Sequence, residues 1–287
     1  LTLISAHANT ITDEGDSGVV TVDGNLTATT NANNGSITLN DLAVDGTIGL
    51  NTHGNGDATV VNDAGFQFAS STVGGNLHAT STTGNMTQSG ALDIEGTTTL
   101  ITSADDATIN LGTSSNAFTG ALLVTTNDSG SDTAGDVSIH GGTTALILGD
   151  STIDGDLTLT STATSATGIS DSGTLDIRGT TTISASGVDI TLNSAANNFQ
   201  GAVGIEGSDV ILVDAGTIDL GASTVTGTYN LTAGGSVTDS GALAITGVTT
   251  IDASSGNVTL NTTTNNFQGA VKIDGVNVVV VDAGAID

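Results

Sequence analysis

NNFQGAV stands at Asn197–Val203 and returns, letter for letter, at Asn265–Val271. Nothing in the heptapeptide can do acid–base or nucleophilic chemistry, so its return points to a repeated shape. Other stretches recur at the same offset: DSGTLDI (171–177) as DSGALAI (239–245), and VDAGTID (213–219) as VDAGAID (281–287). Looser copies lie upstream in QSGALDI (88–94), SNAFTGA (115–121) and VNDAGF (61–66). Self-similarity of this kind is the mark of a stacked repeat protein.

A finer period lies inside the large one. Short apolar-alternating segments centre on Ile11, Ile37, Val60, Met86, Ile109, Val137, Ile169, Ile190, Val210, Val237, Val258 and Val278. Their steps of roughly 20–32 residues fall in the range of stacked structural repeats. Each segment reads as a strand: GNVTLN (256–261) puts Val258 and Leu260 on one face and Thr259 on the other. Thr, Val and Ile suit a pleated, half-buried surface, and Gly, Asn, Asp and Ser punctuate the chain as tight corners require. A helical apolar period is absent.

These features predict an all-β parallel β-helix, or β-solenoid, of about twelve rungs with three rungs per large repeat. The large units run over 11–85, 86–168, 169–236 and an incomplete 237–287, in one continuous segment, 1–287. Twelve rungs stacked at the inter-strand spacing give a rod roughly 55–60 Å long. The absence of Pro agrees, because Pro removes a ladder hydrogen bond from any interior strand. In this reading Phe118, Phe199 and Phe267 are equivalent positions in successive units. Asn197 and Asn265 bond the backbone at a corner, and Gly201 and Gly269 supply turn geometry.

Composition narrows function. The 287 residues hold two Lys plus Arg (Arg178 and Lys272) against 30 Asp plus Glu, a formal net charge of −28. Phosphate backbones and anionic membrane surfaces both call for clustered basic residues, so neither nucleic acid nor membrane is an expected partner. Cys is absent, which excludes disulfides and thiolate metal sites. No apolar run is long enough to cross a bilayer as a helix.

The runs GNLTAT (24–29), GDLTLTSTAT (155–164) and SGNVTLN (255–261) resemble the repeat regions of large secreted Gram-negative exoproteins of the filamentous haemagglutinin type. Such proteins leave the cell by two-partner or autotransporter routes. The resemblance covers the whole chain in repeat style. It implies a right-handed β-helical stalk, an extracellular or cell-surface location on a bacterium, and adhesion to glycans or cell surfaces.

Chemistry-bearing candidates are few. Asp13, Glu14 and Asp16 cluster in TDEGDSG, Asp105 and Asp106 are adjacent, and Asp154 and Asp156 flank Gly155. Oxygen-rich loops can hold structural Ca²⁺, which takes about six to eight oxygen ligands. The weightier reading is a solvated acidic surface that keeps a rod soluble. Catalysis is not expected: six aromatics and two basic groups leave little with which to bind a sugar or stabilise an anion. His53 and His78, about one coil apart in sequence, could stack as neighbours but offer no third metal ligand.

The expected role is a structural rod or stalk segment of a giant surface adhesin or fibre. The alternatives are a polymerising subunit of an extracellular filament or sheath, with identical chains end to end, and an acidic Ca²⁺- or glycan-binding module. The chain starts and stops in mid-repeat, so further rungs of the same chain are expected to continue it.

Overall fold

Alternation of Leu, Ile or Val with Thr gives strands that bury one face. In Leu157–Thr160 the side chains of Leu157 and Leu159 are buried while Thr158 and Thr160 point outward. The structure, a computed structural model, describes residues 1–6, 10–13, 18–130 and 134–286. Among these are 37 strands, every pairing is parallel, and no helix is present.

Each strand pairs with its counterpart one coil later. Leu157 lies beside Thr181, and Thr181 beside Val203. The chain therefore winds as a β-solenoid of about 13 turns. At the inter-strand spacing this is a rod about 60 Å long. A single apolar core runs along it, from Leu26 through Phe66, Met86, Phe118, Ile169 and Tyr229 to Phe267.

The turn count exceeds the expected twelve for a geometric reason. The wall consists of two sheets. The first holds Thr2–Ser5, Leu26–Thr30, Thr47–Asn51 and their successors; the second holds Ser36–Val44, Ala58–Asn62, Leu77–Ser81 and theirs. Val60, in the second sheet, stacks on Ala79, whereas Met86, in the first, stacks on Phe66. The step from Val60 to Met86 thus spans a coil plus the passage to the other sheet. The steps Val137–Ile169 and Val210–Val237 do the same, which hid part of the winding. True coils are measured between ladder partners. They range from the short coil that carries Ala202 to Asp219 to the long one that carries Asn110 to Ser138, and the shortest fall below the steps read from sequence.

The same geometry changes the large repeat. In nine coils between 66 and 267 one side is a single straight strand and the other a pair of short strands around a bend. The bent pairs lie in the first sheet over residues 66–118, beginning with Phe66–Phe68 and Ser71–Val73. They move to the second sheet over 146–199, beginning with Leu146–Leu148 and Ser151–Ile153. Over 218–267 they return to the first, from Ile218–Leu220 and Ser223–Val225 onward. Long strands make the exchange: Ala121–Asn127 pairs with both Leu146–Leu148 and Ser151–Ile153, and Ala202–Gly207 with both Ile218–Leu220 and Ser223–Val225.

Consequently Ile169, Ile190, Val210 and Tyr229 form one stack, three coils in height. Val237, the counterpart of Ile169 in the next sequence repeat, lies beyond Tyr229 in the opposite sheet, stacked on Ile218. The large repeat is about three and a half turns, not three, and successive repeats face opposite ways.

The recurring DSG and QSG triplets are the bend of the middle coil. A Cβ on Gly173 or Gly241 would lie 2.3 or 2.0 Å from the backbone nitrogen of Asp150 or Ala222 in the coil before, so no larger residue fits.

Candidate functional site

The NNFQGAV heptapeptide is the most elaborate polar construction in the chain. Asn197 is fully buried; its Oδ1 accepts the Leu175 N–H at 2.9 Å, and its Nδ2 donates to Asp171 Oδ2 at 2.7 Å. Asn265 repeats this with Leu243 at 2.9 Å and Asp239 at 2.6 Å. Upstream, Asn116 accepts the Leu92 N–H at 3.0 Å, with Gln88 in place of the aspartate. The amides of Asn197 and Asn265 bond the preceding coil and work as a clamp between coils; that of Asn116 donates in addition to Leu111 O in its own corner and to His140 O in the following coil. Asp171 also accepts the N–H groups of Asn193 and Ser194, fixing the bulge that ends at Asn197.

Phe118, Phe199 and Phe267 are equivalent core positions, at 0 %, 1 % and 3 % exposure. The Phe199 N–H donates to Asp214 Oδ1 and the Phe267 N–H to Asp282 Oδ1, both at 2.8 Å. The same carboxylates cap their own turns, receiving the N–H groups of Gly216 and Gly284. Gly201 and Gly269 are required by closeness, not by turn conformation. Neither has a positive φ, and a Cβ on either would sit 2.3 Å from the carbonyl oxygen of Gly179 or Gly247.

The acidic candidates separate. Asp156 is a coil-to-coil acceptor: its Oδ1 takes the Thr180 N–H at 2.7 Å, while its own N–H goes to Asp136 Oδ1 at 2.9 Å. Asp13 takes the Asp41 N–H at 2.8 Å in the same manner. Glu14 and Asp16 lie outside the described residues. Asp154 pairs with Arg178 at 3.3 Å and is not grouped with Asp156. The same guanidinium nitrogen meets Asp128 at 3.4 Å, and the Asp128 side chain is fully buried.

Asp105 and Asp106 do come together, with Asp128 as third member; their carboxylate oxygens lie within 4.8 Å of one another. Hydrogen bonds from Ser129, backbone then side chain, hold the Asp105 carboxyl below its ordinary range. Opposite behaviour marks Asp214, where burial raises the carboxyl against the bonds from Phe199 and Gly216. Sequence reasoning missed the pairing of Asp128 with Arg178, because 50 residues separate them and only the winding brings them together.

His53 and His78 are not neighbours: His78 stacks between Thr59 and Thr99. The depressions of the surface are grooves between successive coils, such as that lined by Asp45, Ala64, Phe66 and Asn85. Among the described residues, no helix is long and apolar enough to cross a membrane.

Three stretches of the chain, 55–125, 134–206 and 207–274, match a family described as repeats of unknown function (DUF5649). Together they take in most of the chain, and each contains one set of three bent coils. They are phased differently from the units read at 11–85, 86–168 and 169–236. No curated protein and no solved structure matches the chain.

Proposed function

Because the chain belongs to this family of repeats, whose role is not known, we propose a function from geometry: it is a stiff structural rod, a stalk segment that holds other parts of an extracellular protein away from a cell surface. One observation carries the reading. The most developed polar networks, those of Asn116, Asn197 and Asn265, bond one coil to the next, so the repeated chemistry of the chain is spent on its own continuity. The resemblance to exoproteins of the filamentous haemagglutinin type supports an extracellular, adhesin-linked setting. The net charge of −28 supports a rod that stays dispersed. Under this proposal the chain is not an enzyme.

The test is contour length by cryo-electron microscopy, for this chain and for a variant with residues 134–206 duplicated. A rod predicts lengthening by about 17 Å, three and a half coils at the inter-strand spacing, with other properties of the protein unchanged. A loss of binding or of an activity without the change in length overturns the reading.

A further inference from the structure

Proteases of the trypsin and chymotrypsin classes read the side chain before the scissile bond, which must enter a pocket suited to a basic or an aromatic residue. This chain offers them two basic residues, five Phe, one Tyr and no Trp, eight residues in all. The fold withholds the aromatic ones. Phe66, Phe68, Phe118, Phe199, Phe267 and Tyr229 are at most 3 % exposed, and each belongs to a paired strand. Arg178 is tied twice. Its N–H donates to Ile153 O at 3.0 Å, and its guanidinium meets Asp128 and Asp154, which lie in two different coils. Lys272 lies in the strand Val271–Gly275, where a cut would remove only residues 273–287.

The exposed segments are of the opposite kind. Loop tips of small and polar residues are where folded proteins are usually nicked. In 161–166, STATSA, the residues Thr162, Thr164, Ser165 and Ala166 are exposed, and so are Ser186 and Gly187 in the turn after Thr181–Ser184. Neither segment holds a basic or an aromatic residue. Acidity alone does not call for this. A surface of both signs, with a surplus of carboxylates, also keeps a protein dispersed.

We propose that the rod is proofed against proteases of these two classes: the residues that they read are kept in the wall, and the exposed loops are kept free of them. The inference deepens the rod reading and rests on it. A stalk outside a cell meets such enzymes along its whole length. Each coil contacts only its neighbours, so no other part of the protein holds a nicked coil in place.

Digestion of the folded chain with trypsin, and separately with chymotrypsin, tests this, with the products read by mass spectrometry. The loop variants Thr164→Lys and Ser186→Lys are digested beside it with trypsin, and Thr164→Tyr and Ser186→Tyr with chymotrypsin. The expected parent loses nothing beyond residues 273–287. At least one loop variant of each pair is cut after the new residue, at a rate higher by about a hundredfold. Two loops are used because a variant that fails to fold is recognised by a second cut, after Arg178 or at an aromatic residue, and the other then decides. Cutting of the folded parent after Arg178 or any aromatic residue overturns the proposal, since the fold does not then withhold them. Folded loop variants that stay whole overturn it too, since the coils would protect their loops whatever residues these held. The rod reading is judged apart, from contour length. A parent of full length that is cut after Arg178 fails this proposal alone, and a resistant parent of the wrong length fails the rod alone.

Discussion

Three threonines test how this core is built. Thr98, Thr181 and Thr249 open straight strands at the same place in three successive repeats, and each is 0–1 % exposed. Their hydroxyls have no hydrogen-bond partner. Their ladder neighbours are apolar: Leu77 and Leu122 beside Thr98, Leu157 and Val203 beside Thr181, Tyr229 and Val271 beside Thr249. Leaving a buried hydroxyl unpaired costs about 1–3 kcal/mol, and a valine methyl in its place adds about 0.8 kcal/mol of transfer energy. Thr→Val keeps the shape and the β-branching, so each substitution should stabilise by about 1–3 kcal/mol. The sites lie several coils apart and should add. At about 2 °C per kcal/mol for a chain of this size, the triple variant gains roughly 6–18 °C in thermal midpoint. Circular dichroism melts of the three single variants and the triple one measure it. Destabilisation at all three sites would refute the reasoning and mean that a buried water or a carbonyl group satisfies each hydroxyl.

Gly201→Ala and Gly269→Ala should each cost about 2–4 kcal/mol, since the added methyl meets a carbonyl oxygen of the preceding coil at 2.3 Å and two coils must part. Gly187→Ala is the control: it has open space but a φ of +81°, and should cost only about 1 kcal/mol in the same urea titrations. Arg178→Met leaves the buried Asp128 carboxylate without its cation; faster hydrogen exchange at Asn127–Ser129 is expected, with a global loss of about 1–3 kcal/mol, and unchanged exchange would remove the ion pair from the account. Asp214 and Asp105 should titrate on opposite sides of the ordinary value of 3.8. For Asp214, raised on folding, the stability contribution is full below 3.8 and lost as pH climbs through the folded value. For Asp105, lowered on folding, it is present above 3.8 and lost as pH falls through the folded value, and carboxyl carbon shifts followed by NMR separate the two.

Much of the architecture was legible because its causes are local. Alternation in stretches such as Leu157–Thr160 and Gly/Asn punctuation are properties of neighbouring residues, and they suffice for stacked parallel coils. The recurrence of NNFQGAV as one local shape was legible for the same reason. What escaped depends on which coil lies next to which. Alternation looks the same in either sheet, so Ile169 and Val237 read as equivalent rungs although they face opposite ways. Gly201 reads as a turn residue until the coil below it is present. Asp156 reads as a solvated carboxylate until the N–H group of Thr180, from the following coil, arrives above it.

The half-turn offset has a mechanical consequence that a longer array would display. A straight strand and a bent pair make unequal sides, so a repeat of whole turns would set every bent side on the same flank and sum any bow it imposes. With three and a half turns, the bow of one repeat is opposed by the next, which keeps a rod straight. Residue count is not what is held constant: the matched stretches 55–125, 134–206 and 207–274 differ in length. Part of the difference falls between strands and part within them. The longest coil gains its length between Ala121–Asn127 and Val137–His140, and the second of these strands keeps register with both of its neighbours, whereas Thr98–Asp105 takes up extra residues as a bulge between Ile101 and Asp105. What recurs is the number of wall crossings. Arrays of this repeat should therefore show, in averaged electron micrographs, a rise of about 17 Å with a half rotation, and features recurring on one flank about every 34 Å. If features recurred on one flank at about 14 or 19 Å instead, repeats would stack in three or four whole turns at the ordinary strand spacing, and the half-turn offset would be refuted.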